Sequence, residues 1–149
     1  MNRWSRIVVA IAFVGCLAWV AAGLAGRDAG GGPMPLARHT LIGFGATLTL
    51  LLADVWIVVY LATGVRLARR EGRELTALAP ARRLVYASAI LAAAFAVTAF
   101  TLAGALYPTD LSPALHVGLA ISTLVSQLVL LVAAIRLLAR HEAALQAPR

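Results

Sequence analysis

Apolar residues along this chain come in four long runs, separated by short stretches that hold most of the glycines, prolines and arginines. The runs cover about residues 7–25, 40–65, 84–106 and 114–138. Each is near or above the roughly 20 residues that a helix needs to cross about 30 Å of hydrocarbon. They lack the two-residue alternation of a barrel strand and are twice its length. Alanine and leucine, both strong helix formers, dominate them. The pattern therefore predicts an all-α integral membrane protein. Its single domain, residues 1–149, would be an up-down bundle of four transmembrane helices.

The first run begins after Arg3 and Arg6 in the manner of a signal peptide. Its apolar stretch of 19 residues is longer than a signal core of roughly 7–15, so it is read as a retained helix. Gly30-Gly31-Gly32 with Pro33 and Pro35 predicts a first loop. Tyr107-Pro108-Thr109-Asp110 predicts the loop between the third and fourth helices.

Composition agrees with the pattern. Of 149 residues, 62% are hydrophobic and 13% charged, too few polar groups to cover a soluble domain of that size. One cysteine, Cys16, excludes an intramolecular disulfide and a cysteine-rich metal site. The net charge of +7 raises nucleic acid as a partner, but the arginines have a topological explanation. Eleven of the 13 fall before the first run, between the second and third, or at the end of the fourth and beyond it, from Arg136 on. Four crossings put those regions on one side. Basic residues resist translocation, so both termini are expected in the cytoplasm of a bacterial inner membrane. The basic connection also suits anionic lipid, and neither nucleic acid nor a soluble substrate is expected.

The two halves resemble one another. Pro35 and His39 precede the second helix much as Pro113 and His116 open the fourth, at offsets of 78 and 77 residues. This suggests two repeated helical hairpins related by an axis along the membrane normal. It also places His39 and His116 at similar depth near the periplasmic face. Imidazole is the usual axial ligand of haem b and the commonest metal ligand. One histidine from each hairpin could hold haem b or another tetrapyrrole, including a chlorophyll type, with Gly43, Gly45 and Gly118 leaving room for the macrocycle. Met34 with the two histidines would instead make a soft Cu(I) site. Arg38 with His39 could hydrogen-bond a quinone carbonyl. Against all three stands the plain reading of histidines that face the headgroups and bind nothing.

Asp54 is the most costly residue, since an acid at a helix centre carries about 2.5–3.5 kcal/mol on insertion scales. Steps of about 100° per residue place His39, Gly43, Leu50 and Asp54 on one face, and His116, Thr123 and Gln127 on one face of the fourth helix. A structural role is favoured for Asp54, hydrogen-bonded to Gln127 or a threonine, over proton relay. Trp4 and Tyr107 suit interface anchors. Gly118, Ser122 and Ser126, with Ala89, Ala93 and Val97, suit close helix packing.

There is no phosphate-binding glycine loop and no serine–histidine–acid arrangement, so no enzyme is expected. The architecture resembles four-helix membrane cytochromes in outline only. The leading expectation is a small accessory subunit of a bioenergetic membrane complex, partnered by other membrane subunits and lipid. The alternatives are a cofactor-free structural or assembly subunit and a periplasmic-face copper-handling protein.

Overall fold

The computed structural model of the chain describes residues 3–27, 31, 33–72, 75–105 and 113–146. Four helices account for almost all of them: α1 (Arg3–Gly26), α2 (Pro33–Arg70), α3 (Ala79–Ala105) and α4 (Pro113–Gln146), with a 3₁₀ turn at Thr76–Leu78 before α3. Proline supplies three of the starts. Pro33 and Pro35 lie in the first turn of α2, Pro80 in that of α3, and Pro113 opens α4. There the missing N–H costs nothing and the fixed φ is already helical. Gly72, at φ +70°, ends the α2 region with the left-handed residue that commonly stops a helix.

All four helices are long and apolar enough to cross a membrane, the mark of a multi-pass membrane protein. They run past the expected boundaries of residues 7–25, 40–65 and 114–138. The 38 residues of α2 rise about 57 Å at 1.5 Å each, well beyond the hydrocarbon thickness. Arg66, Arg69 and Arg70 thus ride on helix rather than on a loop, and so do Arg136 and Arg140. Residues 107–110, expected as a loop, lie outside the described residues.

The core follows alternating three- and four-residue steps. On α1 the buried positions include Ser5, Val8, Ala12, Gly15, Trp19 and Ala22. On α3 they include Val85, Ala89, Ala92, Ala96 and Ala99. Such spacing keeps one narrow seam turned toward neighbouring helices. The seams are small: a Cβ on Gly15 would stand 2.7 Å from Leu50 Cδ2, so α1 and α2 are nearly in backbone contact there. Leu50, Ile57 and Leu61 of α2 and Leu130 and Leu137 of α4 fill the interior between these small seams. Other large apolar side chains point outward, with Phe13, Leu52, Val55 and Ile90 between 50% and 73% exposed, which suits lipid as the surrounding solvent.

The most extensive contacts join α1 to α2 and α3 to α4; α2 with α3, and α1 with α4, close the bundle. Helices α2 and α4 face one another across it. The expected stripe of Gly118, Ser122 and Ser126 is less enclosed. Gly118 is exposed with open space where a Cβ would stand, and Ser126 donates to the Ser122 carbonyl of its own helix at 2.7 Å.

Candidate functional site

Across the interior, α2 and α4 meet at three levels, and each meeting involves a polar side chain. At the first level His39 comes from the second turn of α2 and His116 from the first turn of α4. Their ring centroids are 6.0 Å apart, with planes at 84°. Nδ1 of His39 lies 2.8 Å from the Ala22 carbonyl oxygen of α1. A carbonyl only accepts, so Nδ1 carries the proton and the neutral ring keeps its lone pair on Nε2. Nδ1 of His116 is buried without a hydrogen-bond partner.

Packing fixes the first ring. A Cβ on Gly26 would lie 2.9 Å from Cε1 and 3.0 Å from Nδ1 of His39, so the end of α1 closes on that imidazole because it carries a glycine. One turn below His116, the buried indole of Trp19 donates Nε1–H to the Ala120 carbonyl at 3.0 Å. That bond ties α1 to α4 directly beneath the pair. Gly43 and Gly45 have open space where a Cβ would stand.

The other residues expected at this end point elsewhere. Met34 is 80% exposed and lines a groove with Leu24, Pro35 and Arg38. Five residues put it about 140° around α2 from His39, so its sulfur does not share the imidazole pair's space. Arg38 faces the same groove while His39 turns inward, so the two do not converge on one carbonyl. A second, apolar groove runs past Leu36, Leu41, Phe44 and Phe100.

At the second level Gln127 Nε2 donates to Asp54 Oδ2 at 2.9 Å. Both residues are buried, and Oδ1 of Asp54 has no partner. The threonines weighed as alternatives bond back to their own helices, Thr47 to the Gly43 carbonyl and Thr123 to the Leu119 carbonyl. Fifteen residues separate Asp54 from His39, about 22 Å along a helix, so the carboxyl is no part of the histidine pair.

The third level lies outside the apolar runs. His141 stands beyond the end of the fourth run at about residue 138, but α4 continues through it and the ring is fully buried. It seats against Gly64 of α2, where a Cβ would lie 2.8 Å from Nε2 and closer still to Cε1. Both ring nitrogens lack a hydrogen-bond partner, as does the buried Nη1 of Arg82 on α3. The adjacent Glu142 accepts a hydrogen bond from Ser5 of α1 at 2.6 Å and a long one from Tyr60 of α2 at 3.4 Å. Periodicity carried the signal: Thr123, Gln127, Leu130, Ala134, Leu137 and His141 continue one seam at steps of three and four. Among the described residues no group of three histidine, cysteine, aspartate or glutamate side chains is placed to share a metal ion.

No protein family, characterised protein or solved structure matches this chain. The reading of its function therefore rests on its own residues.

Proposed function

We propose that this chain is a small accessory subunit of a bioenergetic membrane complex and that His39 and His116 hold a haem b iron between them. The observation that carries this reading is the pair of imidazoles facing one another across the bundle at 6.0 Å. His39 and His116 would hold the group between α2 and α4, each through an imidazole nitrogen. The Nδ1 bond from His39 to a backbone carbonyl adds to it, because ligating histidines commonly fix their tautomer in this way. Iron between two such ligands would pass an electron without changing its ligands. The chain's part is to hold both rings and to place the His39 proton on Nδ1, which turns Nε2 to the metal.

In the same reading the helices cross a bacterial inner membrane up and down, with both termini cytoplasmic and the histidine pair near the periplasmic face. The 11-to-2 division of arginines supports that orientation. Reporter fusions after Gly31 and Asp110 should then report periplasm, and one after Gly72 cytoplasm. The reverse pattern overturns it. Four membrane-length helices joined by short connections support work inside a larger assembly with other membrane subunits. Tagged protein purified in mild detergent should bring such subunits with it, and recovery as a lone monomer counts against the subunit role.

A second reading rests on the same imidazole pair without a macrocycle. In it the two imidazoles bind Cu(I) alone, whose soft centre accepts two-nitrogen coordination. Purified protein should show a haem band in its reduced-minus-oxidised spectrum, lost in His39→Ala and in His116→Ala. A colourless preparation with stoichiometric copper selects the second reading. A colourless, metal-free preparation overturns both and leaves a cofactor-free assembly subunit.

A further inference from the structure

At the opposite end of the bundle, three buried nitrogen atoms have no partner among the described residues: Nδ1 and Nε2 of His141 and Nη1 of Arg82. Buried polar groups in folded proteins are hydrogen-bonded, and each exception asks for an explanation, a bound ion or ligand among them. The cost of leaving a guanidinium N–H unmet is larger than for a neutral group. Arg82 and His141 are close enough to interact electrostatically, and Glu142 is close to the same ring. Glu142 does not resolve this, because Nη1 of Arg82 has no hydrogen-bond partner among the described residues while Glu142 Oε1 accepts from Ser5 and Tyr60.

Position says what the missing partner is. Arg82 lies in the first turn of α3, three residues before Val85, which is already in the apolar core. From Val85 to Ala105 is 20 residues, about 30 Å of helix, which is the thickness of the hydrocarbon. Arg82 therefore stands at the level of the headgroups, as does His141, one turn beyond the core residue Leu137. Phosphate oxygens are the acceptors present at that depth, and basic pockets between membrane helices recognise them. The surrounding charge selects the anionic kind: Arg66, Arg69, Arg83 and Arg140 belong to the same end of the bundle and are exposed.

We propose that Arg82 and His141 bind the phosphate of an anionic phospholipid headgroup between α3 and α4. The guanidinium donates to one phosphate oxygen and the protonated nitrogen of the imidazole to another. Arg82 is half-buried and His141 fully buried, so a headgroup meets the guanidinium before the ring.

The neighbouring Arg83 provides the control, because it carries the same charge but is exposed. The full chain is reconstituted in phosphatidylcholine vesicles with increasing phosphatidylglycerol, and lipid retention is read by native mass spectrometry with thermal unfolding alongside. Wild type should retain phosphatidylglycerol over phosphatidylcholine. Arg82→Gln should weaken that retention about tenfold, the loss of one charged hydrogen-bond partner, and His141→Phe should weaken it while keeping the ring's volume. Arg83→Gln should change it less than about twofold. Thermal unfolding in pure phosphatidylcholine checks that Arg82→Gln is folded, and wild-type selectivity alone tests the proposal if it is not. Equal losses in Arg82→Gln and Arg83→Gln overturn the site in favour of a diffuse basic surface. Equal stabilisation by inorganic phosphate in phosphatidylcholine vesicles overturns the lipid as its source.

Discussion

Both ends of the bundle bury a histidine ring on a glycine of a neighbouring helix, yet the two arrangements offer different chemistry. His39 sits on Gly26, with one nitrogen on a backbone carbonyl and a second imidazole 6.0 Å away. His141 sits on Gly64 with neither nitrogen partnered, beside a buried guanidinium nitrogen and a hydrogen-bonded glutamate. The glycine provides room in both cases. What lies next to the ring decides whether the room presents a lone pair to a metal or a donor to an anion. Between them Gln127 donates to one carboxyl oxygen of Asp54 and leaves the other without a partner among the described residues, so a polar pair built from the chain's own side chains separates the two ends.

The seats themselves give the largest expected effect. His141 is fully buried and has nowhere to retreat, whereas His39 is half-buried at the mouth of the bundle. Gly64→Val should destabilise the fold by about 3 kcal/mol or more, at the upper end of overpacking costs. Gly26→Val should cost about 1 kcal/mol, because the ring can turn outward. Equilibrium unfolding in mixed detergent would measure both. Equal costs would mean that the two seats are not different in rigidity. In the double variant Gly64→Val with His141→Ala, much of the loss should return.

The pair that divides the ends comes next. Gln127→Leu removes the donor to Asp54 Oδ2 and leaves both carboxyl oxygens without a partner, at about 2 kcal/mol. Asp54→Leu together with Gln127→Leu should unfold close to wild type, since replacing both partners with apolar groups removes the unmet group as well. A double variant as unstable as Gln127→Leu alone would show that the carboxyl has a duty beyond the hydrogen bond.

Much of this was legible in the sequence, for a physical reason. Four apolar runs with no alternation leave little choice but membrane-length helices, and a proline followed by a histidine marked both residues of the pair. Asp54 and Gln127 were found because an acid among leucines needs a partner and helical steps put Gln127 on a seam. His141 was missed because the fourth run was ended where hydropathy fell, at Leu138. The buried seam follows helical phase rather than hydropathy and continues one more turn. Ser5 was passed over in the same way at the other terminus, three residues before Val8 on the seam of α1. Hydropathy marks where a helix can meet lipid; phase marks what it encloses, including the polar groups at its ends. Met34 and Arg38 show the converse, since nearness in sequence to His39 placed neither of them with it.

A smaller difference separates the ties that hold each end together. Trp19→Phe keeps most of the ring but loses the Nε1 bond to Ala120 under the histidine pair, and should cost about 1 kcal/mol. Its effect should appear in α1–α4 contact at that end, read by cross-linking between single cysteines introduced at Leu24 and Val117 in a Cys16→Ala background. Unchanged cross-linking alongside a full loss of stability would place the strain elsewhere.

The smallest effect is expected at the Tyr60 hydroxyl, one of two that reach Glu142. Ser5 Oγ stands 2.6 Å from Oε1, inside the usual range for a hydroxyl donating to a carboxylate, whereas the Tyr60 hydroxyl stands at 3.4 Å, well outside it. Ser5→Ala should therefore cost about 1.5 kcal/mol. Tyr60→Phe should fall within about 0.5 kcal/mol, as it keeps the ring's packing and loses a contact that contributes little. If Tyr60→Phe instead costs as much as Ser5→Ala, the tyrosine closes on the carboxylate in the membrane and that end is more tightly tied than the distance implies. If neither matters, Glu142 is held by the burial of its own helix, and the contrast between the ends reduces to the two imidazoles and their neighbours.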